Sequence, residues 1–211
     1  MDAAEAKAIL IHHCDGGSED DTLLGCLSPY AGHERRHLLQ VLQALSVVAP
    51  ELNGRTEVDR DLVRAIWDLC RTLRNWVRQI PPEFRKSLED WTEEFEAITL
   101  HLLRGQPAVL AFGGVADLIL EYRLGAEVAF LVPLLIEQLQ LHQLDDPTGE
   151  NSDDEGPVIV CRALGSMGVA ATAAWPALLA AQRTSPHARV RDSATQALAD
   201  VASDRGASIV D

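Results

Sequence analysis

The stretch VCRALGSMGVAATAAWPALLAAQRTSPHARVRDSATQALADVA, residues 160–202, is rich in alanine and leucine and has a proline within an apolar run. Alanine and leucine favour helices over strands. Proline is tolerated in a helix only near its start, where the missing N–H group costs little. The stretch therefore predicts consecutive helices, with Pro176 in the first turn of one of them.

An earlier part of the chain carries the same pattern at an offset of 43 residues. Pro133 aligns with Pro176, and Gly125 aligns with Gly168, each glycine eight residues before its proline. The neighbouring apolar positions also align: Leu124 with Met167, Val128 with Ala171, Leu135 with Leu178 and Ile136 with Leu179. A period of about 40–47 residues is typical of repeats built from pairs of helices.

These residues carry a resemblance to a known family. ALGSMGVAATAAWPALL resembles the first helix, glycine turn and second helix of the bacterial HEAT-repeat family, and VRDSATQAL resembles the start of its next repeat. The resemblance is clearest over 160–202 and fainter over 115–141 and 28–48. It implies an all-α fold, a HEAT-like α-solenoid of antiparallel helix pairs with about nine or ten helices. A generic alanine- and leucine-rich composition is the alternative explanation.

Helices are expected at about 34–48, ending before Pro50, and at about 108–122 and 126–144. Two long helices expected between residues 56 and 105 depart from the repeat pattern. The first has one apolar stripe at three- and four-residue steps: Val58, Leu62, Ile66, Leu69, Leu73, Trp76 and Ile80. A second stripe lies beside it: Val63, Trp67, Cys70 and Val77. Two stripes predict a helix buried on two sides, between neighbours.

The domain organisation predicted from these patterns has three parts. Residues 1–144 form a helical part of degenerate repeats, residues 145–156 an acidic linker, and residues 157–211 HEAT-like repeats packed on the first part. The linker DDPTGENSDDEG lacks the D-x-[DN]-x-[DN]-G spacing of a calcium-binding loop. It is therefore interpreted as a solvated connection.

Composition restricts the classes of partner. The formal net charge is -14, which repels phosphate backbones and anionic lipid and attracts basic proteins. We therefore expect no nucleic acid and no membrane partner. The four cysteines are widely spread and the first residues are acidic, where a signal peptide would be basic. A cytoplasmic protein with reduced thiols is expected.

The sequence has no GxGxxG and no GxSxG, whereas HERRH at 33–37 has the H-E-x-x-H order that places two histidines on one face of a helix. Potential metal ligands occur at Cys14, Cys26, His33 and His37, but the wide spacing of the two cysteines does not match a structural zinc site. HEAT-fold hydroxylases hold iron with several His-Glu pairs, and only His33-Glu34 occurs here. We expect no catalytic residue, cofactor or metal; a metal-dependent enzyme using the N-terminal His and Cys residues is the third hypothesis.

Charge patterning suggests where a partner binds. Residues 157–211 hold five arginines and four acidic residues, so the negative charge falls on the first 156 residues. One acidic helix face carries Glu89, Asp90, Glu93 and Glu96; the preceding helix carries a basic line of Arg71, Arg74 and Arg78. The two lines either pair with each other, face water or leave the acidic residues free to dock a cationic partner.

The function expected from these observations is binding without catalysis. Small size, negative charge and a helical fold are properties that fit an immunity protein, or antitoxin, which blocks a basic toxin or effector domain. The alternative is a HEAT-repeat scaffold or assembly subunit of a larger complex.

Overall fold

The structure is a computed structural model that describes residues 1–14, 22–27, 35–52, 59–145 and 154–207. Within these ranges the chain is helical and contains no β-strand, so the predicted all-α class is confirmed. The chain divides into two compact units, unit 1 (Met1–Phe112) and unit 2 (Gly113–Asp211).

Unit 1 contains helices that pack around a core of large side chains. They are α1 (Ala3–Cys14), α2 (Leu23–Cys26), α3 (Arg35–Leu52), α4 (Arg60–Val77), α5 (Pro82–Leu103) and α6 (Ala108–Ala111). Helix α1 packs against α3 and α4, and α5 packs against α4 and α3. The largest fully buried side chains include Phe95, Phe112 and Leu69, and Trp91 is 2% exposed.

The two predicted stripes of α4 have different environments. The first stripe is buried at Leu62, Ile66, Leu69 and Leu73, and it supplies the core of unit 1. The second stripe is not covered along its length, because Trp67 keeps 63% of its surface exposed. The prediction that α4 is buried on two sides is therefore wrong at this position.

Unit 2 consists of shorter helices joined by 3₁₀ segments. Its elements are α7 (Val115–Glu121), a first 3₁₀ segment (Gly125–Leu131), α8 (Val132–Asp145), α9 (Glu155–Ser166), a second 3₁₀ segment (Gly168–Ala174), α10 (Trp175–Thr184) and α11 (Ala188–Ala207). Helix α9 packs against α7, α8 and α11, and α10 packs against α11.

The internal repeat of 43 residues is visible in the backbone. Each 3₁₀ segment begins at an aligned glycine, with φ of 52° at Gly125 and 56° at Gly168, a left-handed conformation that glycine adopts without strain. Each segment bends at the aligned residues Val128 and Ala171, which have non-helical dihedral angles. Each following α-helix has its proline at the second position, as predicted for Pro176.

Helices α9 and α11 approach closely because their contact is made by small residues. A Cβ atom added to Gly165 would lie 3.0 Å from the Cα of Ala197 and 3.2 Å from its Cβ. Ala163, Ala194 and Ala197 of the same two helices are also buried. The alanine-rich composition of 160–202 is therefore explained by close backbone packing.

The expected domain boundary differs from the observed one. Helices α7 and α8 pack against α9, so residues 113–145 belong with the C-terminal helices and the units divide after Phe112. The expected linker 145–156 joins two helices of the same unit; its residues 146–153 lie outside the described residues.

Three helix boundaries also differ from expectation. The helix expected to end before Pro50 continues to Leu52, whose burial holds the last turn in place. The helix expected from 108 to 122 is interrupted after Ala111, and α7 begins only after Gly113 and Gly114, because glycine has a low helix propensity. The helix expected from 126 to 144 begins with a 3₁₀ segment. The described residues consequently form eleven α-helices rather than nine or ten.

The parallel between the repeat and residues 28–48 is described only in part, because 28–34 lie outside the described residues. In the C-terminal copy, the guanidinium group of Arg191 donates hydrogen bonds to the backbone carbonyls of Ser185 and Pro186, both at 2.8 Å. This contact explains why an arginine follows the Ser-Pro pair there.

Across the residues that the structure describes, none of the helices combines the length and the apolarity needed to span a membrane.

Candidate interaction surface

The ends of α4 and α5 are defined by local signals in the sequence. Asp59 caps α4, because its Oδ1 accepts hydrogen bonds from the backbone amides of Asp61 and Leu62 at 2.9 and 3.2 Å. The Asp59 carboxylate also pairs with Lys7 of α1, which lowers the pKa of Asp59. Pro82 starts α5 directly after the turn. These signals determine where α4 and α5 begin, and the two helices pack side by side.

Contacts between α4 and α5 show that the two helices are antiparallel. Arg74 forms an ion pair with Glu96, and the Sγ of Cys70 lies 3.7 Å from the Oγ1 of Thr99. As the residue number rises along α4, it falls along α5. A shallow groove runs between the two helices on the side away from the core, and we call this surface the α4–α5 face.

One end of the α4–α5 face is apolar. Trp67, Leu100 and Leu103 line a groove of about 300 Å³, with Cys70 and Thr99 at its floor. The three large side chains are 63%, 47% and 40% exposed, respectively. Exposed large apolar side chains that cluster in one groove are a recurring mark of interaction sites.

The other end of the α4–α5 face is charged. Arg78 of α4 lies there with Glu89, Thr92 and Glu93 of α5, and Arg74 lines both ends of the groove. Glu89 and Glu93 are exposed. The acidic and basic lines expected from the sequence therefore face each other across one groove.

The structure places the four predicted docking residues in three environments. Glu96 pairs with Arg74, and Asp90 pairs with Lys86 of its own helix at 3.0 Å. Glu89 and Glu93 line the charged end of the groove. Three of the four residues therefore share one surface, whereas Asp90 makes its contact along α5.

The Cys70 thiol in the groove is expected to be unreactive. Burial raises the pKa of Cys70 to about 11, so the thiol stays protonated at neutral pH. A protonated thiol is a weak nucleophile and a poor metal ligand. Cys70 therefore belongs to the apolar floor of the groove.

The potential metal ligands of the N-terminal helices are brought together in part. The Sγ of Cys26 lies 3.3 Å from the Nδ1 of His37, and the His37 ring lies 5.4 Å from that of His13. Cys14 instead donates to a backbone carbonyl of α4, and His33 lies outside the described residues. Within the described part of the chain, no group of three or more candidate ligands is arranged to hold a metal ion.

Trp67 is the functional candidate that the sequence reasoning missed. Its position in an apolar stripe suggested burial, and the helical period alone does not distinguish a covered stripe from an uncovered one. The charged residues beside Trp67 in the sequence did indicate that its side chain is exposed. Asp68 and Arg71 flank Trp67 and form an ion pair at 3.1 Å, and this is typical of a solvated surface rather than of a buried one.

A scan of protein-family models finds no match to the chain, and searches of curated proteins and of solved structures find none either. The α4–α5 face and the charge of the chain are therefore the features of the molecule that bear on its function.

Proposed function

We propose that the protein is a non-enzymatic protein-binding module that contacts its partner through the α4–α5 face. The observation that carries the proposal is the groove formed by Trp67, Leu100 and Leu103, three large apolar side chains that remain exposed on helices of a folded unit. Tryptophan is among the residues that contribute most to binding energy at protein interfaces. The groove offers an anchor site for an apolar side chain of a partner.

The proposed partner is a basic protein. The formal net charge of -14 favours association with positive surfaces and increases the rate of encounter. Glu89 and Glu93 are exposed at the charged end of the face, where they can pair with lysine or arginine of the partner. Among acidic binding proteins of this size, we propose an immunity protein that blocks a basic toxin or effector domain, built on a HEAT-like helical scaffold.

An assembly subunit is the second candidate function. The ion pair between Arg74 and Glu96 favours it, because this pair leaves the middle of the α4–α5 face balanced in charge rather than acidic. A face that is balanced in charge and apolar at one end suits contact with another subunit of a complex as well as it suits contact with a basic toxin.

The proposal is tested by capturing the partner from the native cell with the tagged protein and then measuring purified partner by biolayer interferometry. Trp67→Ala is expected to raise the dissociation rate about tenfold or more, because it removes the apolar anchor. Reversal of Glu89 and Glu93 to lysine is expected to lower the association rate about tenfold. Wild-type association should slow as salt screens the charges.

The matched control is reversal of Glu83 and Glu137 to lysine, which changes the net charge by the same amount at exposed positions outside the groove. We expect the control to retain most of the wild-type association rate. A captured partner that binds the Trp67→Ala variant and the Glu89/Glu93 variant as tightly as wild type would show that the α4–α5 face is not the binding site.

A further inference from the structure

The α4–α5 face has a charge pattern that is complementary to itself. The α4 side carries a row of arginines, Arg71, Arg74 and Arg78, and the α5 side carries a row of glutamates, Glu89, Glu93 and Glu96. The rows are equal in number, opposite in sign and parallel to the same groove. A surface with two matched rows of this kind fits a second copy of itself as well as a foreign partner.

The two rows are in register along the groove. Trp67 and Leu103 line the same apolar end, Arg74 pairs with Glu96 in the middle, and Arg78 lies beside Glu89 and Glu93 at the charged end. The middle and the charged end of the groove therefore set an arginine of α4 beside glutamates of α5, whereas Arg71 lines the apolar end with Leu100. This register restricts how a second copy can be placed.

We propose that the α4–α5 face closes on the same face of a second copy of the chain, about a two-fold axis that runs along the groove. Rotation by half a turn about this axis exchanges left and right but preserves the level along the groove. The α4 row of one copy then lies over the α5 row of the other copy at the same level. Such isologous contacts are the commonest form of protein self-association.

In this arrangement, each part of the α4–α5 face of one copy contacts a complementary part of the same face of the other copy. Arg74 of one copy faces Glu96 of the other, so the two existing ion pairs form an alternating square of four charges. Trp67 of one copy covers Leu100 and Leu103 of the other and removes their exposed apolar surface from water. A two-fold axis perpendicular to the groove would instead set arginine rows against each other, and like charges at close range are unfavourable.

The size of the face predicts a weak dimer. The stretch from Trp67 to Arg78 spans about 17 Å of helix, and two helices side by side are about 20 Å wide. The contact therefore covers roughly 350 Å² per copy, below the ~800 Å² of a standard stable interface. The dimer is expected to form and dissociate with concentration in the micromolar range or above.

Self-association goes beyond the proposed function, and the two can be separated. A second copy and a basic partner would use the same groove, so each would exclude the other. A protein that remains monomeric disproves the dimer and leaves partner binding through the α4–α5 face untouched. A dimer whose contacts lie elsewhere disproves the dimer interface alone.

Sedimentation equilibrium of the wild-type protein, from low micromolar to several hundred micromolar, provides the first test. The apparent mass is expected to rise from 23.0 kDa towards twice that value. Trp67→Ala should weaken the dimer at least tenfold, whereas Phe84→Ala, at an exposed aromatic side chain that does not line this groove, should leave it unchanged. A constant monomer mass, or equal dimerisation of all three proteins, would overturn the proposal.

A charge swap tests the two-fold axis itself. The swapped variant carries Arg71→Glu, Arg74→Glu and Arg78→Glu together with Glu89→Arg, Glu93→Arg and Glu96→Arg. Net charge and the pairing between α4 and α5 within each chain are preserved, so circular dichroism should match wild type. The swapped variant should dimerise with itself as wild type does, because its rows are again opposite.

The decisive sample is a mixture of wild-type chains and ¹⁵N-labelled swapped chains, examined by native mass spectrometry; the label is needed because the swap leaves the composition and the mass unchanged. In the proposed arrangement a mixed pair sets arginines over arginines and glutamates over glutamates. Mixed dimers should therefore be depleted at least tenfold relative to random pairing. Free formation of mixed dimers would exclude the axis along the groove.

Discussion

The two units of the chain pack their helices with side chains of different size. Unit 1 fills its core with large side chains such as Trp91, Phe95 and Leu69, whereas unit 2 brings helix backbones together through Gly165, Ala197 and neighbouring alanines. Among the described residues, unit 1 has several exposed large apolar side chains and unit 2 has Val169. This difference is the reason why the proposed binding surface is placed on unit 1, the unit that departs from the repeat.

The largest effect is expected from a charge placed in the scaffold. Leu178 is fully buried in α10, and Leu178→Asp would bury a carboxylate among apolar neighbours. We expect a loss of about 4 kcal/mol or more in the free energy of unfolding, measured by urea denaturation with circular dichroism. A wild-type midpoint for this variant would mean that α10 does not contribute to the core of unit 2.

A cavity in the core of unit 1 should lower the stability of the protein. Phe95 is fully buried, and Phe95→Ala is expected to cost about 3–5 kcal/mol of unfolding free energy. Trp67→Ala removes a larger side chain but should change stability by less than about 0.5 kcal/mol, since Trp67 lies mostly in solvent. If the two variants lost equal stability, the assignment of Trp67 to the surface would be contradicted.

Unit 2 should instead lose stability when an extra methyl group is placed between its helices. In Gly165→Ala, the new Cβ would meet the Ala197 backbone at 3.0 Å, and we expect a cost of about 1–3 kcal/mol in thermal or urea unfolding. Gly156→Ala, in the same helix, is the matched control. Its Cβ would meet only the His142 ring, which can move, so this change should be neutral or slightly stabilising. Equal effects of the two changes would contradict the close approach of α9 and α11.

The smallest effect is expected at the repeated prolines. Pro133→Ala and Pro176→Ala each replace the second residue of a helix, where the N–H group has no helical partner. We expect each to shift the unfolding free energy by less than about 1 kcal/mol, and the two shifts to agree closely in differential scanning calorimetry. A large loss for one variant alone would show that the two turns are not equivalent.

The repeat of unit 2 was predictable because its signals are local. A glycine with positive φ and a proline eight residues later leave a direct mark in the sequence, and the same mark at 125–133 and 168–176 was enough to align the copies. The break between α6 and α7 was missed, although Gly113 and Gly114 are adjacent, because the apolar pattern continues across them. The HEAT-like solenoid arrangement stays a prediction.

The candidate surface was predictable only in its charges. Helical spacing predicts the line of Arg71, Arg74 and Arg78 and the line of Glu89, Glu93 and Glu96, and it allows the two lines to pair. The exposure of Trp67 could not be derived in the same way. It depends on which helices pack beside α4, and this is decided by contacts between segments distant in sequence.

The repeated turn also has a consequence for the order of events during folding. Each copy, from Gly125 to Pro133 and from Gly168 to Pro176, is specified within nine consecutive residues, so the chain closes only short loops to form it. Helix α1, in contrast, must find α4 across the whole of α2 and α3. Since the entropy lost in closing a loop grows with its length, we expect the turns of unit 2 to form early and the α1–α4 contact to form late.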